Sequence, residues 1–166
     1  AQDEQNYSRA LFKRLPAEVL LDAVCQVTGV PEKFDGVPAG ARAIQLWDSQ
    51  TQHYFLKLFG RPVRVTACEC ERNSGASIAQ VLHLLNSPNL QAKLTHADGQ
   101  LARLAAAHPD NAKLADELYL TFFSRLPSDT ERQLAVKHLA ASPNRLQAVE
   151  DYAWSLLNAV EFVFNH

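Results

Sequence analysis

The chain has no methionine among its 166 residues, and only three cysteines, six glycines and two tryptophans. Neither sign of charge dominates: sixteen lysines and arginines face eighteen acidic residues, for a formal charge of −2. That balance excludes the basic footprint of a nonspecific nucleic-acid binder and of a polybasic membrane anchor. No apolar run approaches the roughly 18 residues of a spanning helix, and no short apolar signal segment opens the chain. Gly-x-Ser-x-Gly, P-loop, dinucleotide and His-Glu-x-x-His patterns are missing, as is the Cys-x-x-Cys-His haem attachment. Asn73-Ser74-Gly75 reads as a turn, not a glycosylation acceptor. A chain that opens at Ala1 without any methionine is expected to be a piece of something longer.

What is present is helical periodicity. Residues 1–14 are polar and read as a tail or frayed helix, and residues 15–166 as one domain. Leu15-Pro16-Ala17-Glu18 opens a helix, with proline in the first turn and a carboxylate at the positive end of the dipole. Leu20, Ala23, Val24 and Val27 continue it at helical spacing until Gly29, with Pro31 beyond. Residues 15–75 form a loop-rich half. It holds two weakly alternating runs, 43–46 and 63–68, that predict short strands, and an amphipathic run at 53–59 closed by Gly60-Arg61-Pro62.

Residues 76–166 form a helical half. Ile78, Val81, Leu82 and Leu85 recur at helical spacing before Asn86-Ser87-Pro88 interrupts them, and short helices follow over 89–94 and 101–107. Leu114, Leu118 and Phe122 share a face. Ser128-Asp129-Thr130-Glu131 has the spacing of a capping box, and Ser142-Pro143 offers a second cap. Leu146, Val149, Ala153, Leu156, Leu157 and Val160 trace one apolar stripe that must bury against neighbours. The last three helices are therefore expected to form a bundle. The expected fold is mainly α: a helical bundle with a loop-rich N-terminal half carrying short β pieces.

Chemistry-bearing clusters are few. Cys68-Glu69-Cys70-Glu71-Arg72 sets two thiols one residue apart among carboxylates, which suits either a disulfide or soft metal ligation. In the plainer reading, one of the pair bonds Cys25 and the other stays buried as a small apolar residue. In the metal reading, Cys68 and Cys70 are ligands, with Cys25 and a histidine completing the set. Arg42, Asp48, Arg61, Arg64, Glu69, Glu71 and Arg72 concentrate in the loop-rich half. They suit an ion-pair network or convergence on an anionic ligand, since the guanidinium fork serves both. His83 lies inside an apolar helix, where a core histidine is the ordinary explanation, and His166 closes the chain beside Glu161, Phe162 and Phe164. These two are the candidate proton carriers.

In order along the chain, Arg14-Leu15-Pro16-Ala17-Glu18, Gln26-Val27-Thr28-Gly29, Arg42-Ala43-Ile44-Gln45-Leu46, Phe59-Gly60-Arg61-Pro62, Cys68-Glu69-Cys70-Glu71-Arg72, Leu82-His83-Leu84-Leu85-Asn86-Ser87 and Trp154-Ser155-Leu156-Leu157-Asn158 stand together. Through these strings, residues 14–166 resemble the planctomycete-specific domain of unknown function that closes large exported proteins, many of which begin with a cytochrome-C-like domain. Trp47 stands where that family is expected to have proline. The resemblance implies an exported location, which favours a disulfide, and a carboxy-terminal place in a longer chain. Haem is then expected only in other domains, with no cofactor in this one. The resemblance supplies no catalytic residues. The expected role is a non-catalytic packing or interaction module. Its partners are other domains of the same chain or a further protein, with no nucleic acid and no membrane insertion. The alternatives are part of an enzyme or binding site for an anionic or polymeric substrate, completed by other domains, and a small metal site at the Cys-x-Cys pair.

Overall fold

A computed structural model describes residues 13–47, 51–61 and 77–165. The expectations for Asp48, Arg64, Cys68, Glu69, Cys70, Glu71, Arg72 and His166, and for a strand over 63–68, lie outside these residues.

The fold is mainly α. The first helix, α1 (Ala17–Thr28), ends where Gly29 turns left-handed at φ 69°. A Cβ on Gly29 would meet the Gln100 backbone nitrogen at 3.0 Å, so glycine both turns the chain and lets the next layer approach. Leu20, Leu21, Val24 and Val27 line the buried face of α1, and Thr28 closes it by donating to the Val24 carbonyl. A short helix, α2 (Tyr54–Leu58), packs on α1.

Among the described residues, seven further helices follow. They are α3 (Ile78–Asn86), α4 (Pro88–Leu94), α5 (Gln100–Ala107), α6 (Asn111–Phe123), α7 (Asp129–Ala141), α8 (Arg145–Leu157) and the single turn α9 (Val160–Val163). Ser87 ends α3 and caps α4, with Pro88 in the first helical position. The capping box at Ser128 and Glu131 is formed. The bundle of α6, α7 and α8 packs around Leu114, Leu118, Ala135, Val149, Ala153 and Leu157, all buried. Among the described residues, one hydrophobic core runs from α1 to α9.

Four expectations are corrected. Residues 13–14 are not a frayed tail. They form a strand, β1 (Lys13–Arg14), paired antiparallel with β2 (Phe164–Asn165), so the β pairing joins the two ends of the described chain. Residues 43–45 form a 3₁₀ turn instead of a strand, because the Asp22 carboxylate accepts from the backbone N–H groups of Ala43 (2.6 Å) and Ile44 (3.1 Å). The cap of α8 is Asn144, whose side chain accepts from Gln147 N–H; Ser142 ends α7. The α8 stripe buries Val149, Ala153, Leu156 and Leu157, whereas Leu146 and Val160 at its ends face solvent.

Candidate functional site

Among the described residues, a cluster of titratable groups forms where the loop after α1 meets α4. Leu90 and Leu94 bury the apolar face of α4, and Lys93 falls on that same side. Its ammonium cannot reach water easily, so it is satisfied internally. Nζ donates to the carbonyls of Val30 (3.1 Å) and Pro31 (3.2 Å) and sits 3.4 Å from Glu32 Oε2. On the other side of Glu32 stands His53, with Nε2 3.9 Å from Oε2 and its ring tilted on Phe34. Burial pushes the Glu32 carboxyl up, but the neighbouring His53 ring and the Lys93 cation outweigh it and hold the group down at about 2. Cys25, half-buried on α1, feels the same seam: burial pushes its thiol up, and Lys93 opposes that in part. A buried cation, a carboxylate held ionised and a thiol held protonated make a structural clamp, since the strongest groups neutralise one another.

Two clefts flank the clamp. One, of about 360 Å³, is lined by Asp22, Cys25, Gln26, Glu32 and Arg42 among others. The second, of about 440 Å³, is lined by Leu21, His53, Tyr54, Phe55, His83 and Leu90 among others. His83 meets the Tyr54 ring at a tilt and the Phe55 ring edge-on, with centroids 5.3 and 5.6 Å away, and Phe59 lies edge-on at 6.2 Å. Burial, followed by the proximity of His53, pushes the His83 imidazole below its ordinary value.

Of the arginines singled out in the sequence, two are described, and both reach α1. Arg42 Nε lies 3.5 Å from Asp22 Oδ2. Arg61 is half-buried, with Nε 3.4 Å from Glu18 Oε1 while Nη2 donates to the Leu46 carbonyl at 3.2 Å. Glu18 and Asp22 stand one helical turn apart, so a single carboxylate edge of α1 holds the loops on either side of residues 48–50. Cys25 is a free cysteine. Among the described residues no group of three or more His, Cys, Asp or Glu side chains could hold a metal ion. Among them, too, no helix is long and apolar enough to cross a membrane.

Sequence reading missed Asp22, Glu32, Lys93 and His53. Lys93 left one signal, a lysine at helical spacing among Leu90 and Leu94. Glu32 and His53 left none, because 21 residues separate them and only the tertiary fold brings them together.

Comparison with known proteins adds a family but no activity. No curated protein and no solved structure matches the chain. The family PSD1, described as "Protein of unknown function (DUF1553)", matches residues 1–139. Five-sixths of the sequence, including α1, the clamp and the helices through most of α7, thus follows one family pattern, and the chain belongs to this family of proteins of unknown function.

Proposed function

We propose that the chain is a non-catalytic packing and interaction module of a larger exported protein whose chemistry, including any haem, resides in other domains. One observation carries this reading: charged side chains are spent on tying segments of the module to one another. Arg42 and Arg61 bind the loops to α1, and Lys93 binds the following loop to α4. Arg125 holds Glu131 and Glu161, and Arg132 holds Asp116. Charge-assisted contacts used this way fix the geometry of the segments they join. The exported, cytochrome-linked setting rests on the family resemblance of residues 14–166.

The test is reconstitution. The 166-residue chain and the remainder of the full-length protein are produced separately and mixed in a calorimeter. A saturable association with micromolar or tighter dissociation constant is expected. Absence of heat at 100 μM of each, together with independent sedimentation of the two parts, would remove the reading.

A further inference from the structure

Helix α3 is turned the wrong way for a helix of a self-contained domain. Its aliphatic stripe, Ile78, Val81, Leu82 and Leu85, faces solvent with exposures of 79, 54, 53 and 37%. The side it buries presents Gln80 and Leu84 instead. Gln80 is held there by donating to the Leu58 carbonyl at 3.0 Å and by closing the capping box with Ser77. Aliphatic surface left in water forgoes the stabilisation that burial would bring. Trp154 on α8 extends the stripe by donating its indole N–H to the Leu85 carbonyl at 3.3 Å.

We propose that this face docks an apolar, uncharged helix or strand surface of another domain of the same polypeptide. The proposal rests on the module reading above and names the surface that reading requires. The chemistry of the occupant follows from α3 itself, which carries no Asp, Glu, Lys or Arg from Ile78 to Asn86. A charge pressed onto it would lose hydration and gain no counter-ion. The Trp154 donor is already satisfied, so the indole can be covered without stranding a polar group.

The area decides between a tethered partner and a free one. One face of a nine-residue helix with a single indole stays within the roughly 300–600 Å² that a monomer ordinarily leaves open. That falls short of the roughly 800 Å² per partner of a standard stable complex. A second copy of the chain arriving from solution would have to meet the whole association cost from this patch. A domain on the same chain is present at an effective concentration on the order of millimolar, where a patch of this size suffices.

Hydroxyl-radical footprinting read by mass spectrometry tests this on the 166-residue chain and on the full-length protein. Labelling of the peptide over 78–85 and of Trp154 is expected to fall at least fivefold in the full-length protein. Equal labelling in both overturns the proposal, as does protection already present in the 166-residue chain, at all concentrations or only at high ones. Protection of a different surface overturns the assignment to α3 while leaving the module reading standing; no protected surface anywhere overturns both. A Val81→Glu, Leu82→Glu double variant supplies a second readout. It is expected to keep the thermal midpoint of the 166-residue chain and to restore Trp154 labelling in the full-length protein at least threefold. Unchanged protection of Trp154 in that variant overturns the proposal.

Discussion

The Lys93 ammonium lies 3.4 Å from Glu32 Oε2, with only 5% of the lysine side chain and 14% of the glutamate side chain exposed. Both ions are desolvated, and the two backbone carbonyls that Nζ also holds are tied to the same atom. The pair therefore fixes the path of the chain as it leaves α1 and locks it to α4.

Replacing Lys93 with Met keeps the apolar stem and removes the charge. It leaves a buried carboxylate and two carbonyls without their donor, and a cost of about 3 kcal/mol is expected. Urea unfolding of the variant and parent measures it; a loss below about 1 kcal/mol would show that water replaces the ammonium.

Acid should loosen the same clamp. Glu32 is held at about 2 in the fold against an ordinary 4.5, so the unfolded chain binds the extra proton between those values. The stabilisation is complete above about pH 4.5 and is lost as the pH falls towards 2. Glu131, held at about 2 chiefly by its hydrogen bond to Arg125, contributes in the same window. Its half-exposed position makes that share smaller and salt-sensitive. Unfolding free energies measured from pH 6 to pH 2.5 should fall less steeply in Glu32→Gln than in the parent, with the variant less stable above pH 5.

Gly29→Ala is expected to destabilise by about 2 kcal/mol. The φ of 69° is strained for alanine, and its Cβ would press on the Gln100 nitrogen at 3.0 Å. A thermal midpoint within 1 °C of the parent would mean that the α1–α5 contact yields without cost.

Arg125 joins the start of α7 to α9. Nε and Nη2 donate to Glu161 at 2.7 Å each, and Nη1 and Nη2 donate to Glu131 at 2.9 and 2.8 Å. The guanidinium also lies over the Tyr119 and Phe123 rings. Because the side chain is more than one-third exposed, Arg125→Ala is expected to cost only about 1–2 kcal/mol, less at 1 M salt. Arg125→Lys should recover less than half, since one ammonium cannot reproduce two forks. Full recovery would assign the effect to charge alone.

Residues near one another in sequence determined much of this protein by themselves. Helical spacing marks α1 and α6, the Ser128–Glu131 pair marks the start of α7, and Ser87-Pro88 marks the break between α3 and α4. Each of these depends on groups within about one helical turn, where backbone geometry brings side chains together without help. The tertiary structure decided everything that needed a distant partner. Alternation at 43–46 predicts a strand, but Asp22, 21 residues away, draws the backbone N–H groups into a 3₁₀ turn. The polar residues at 13–14 find a strand partner only at 164–165. The clamp at Lys93 needs α4 to pass beneath residues 30–32. The periodicity of α3 reveals an amphipathic helix, but periodicity is the same whichever way a helix is rotated. Which face is buried was decided by the hydrogen bond that draws Gln80 inward to Leu58.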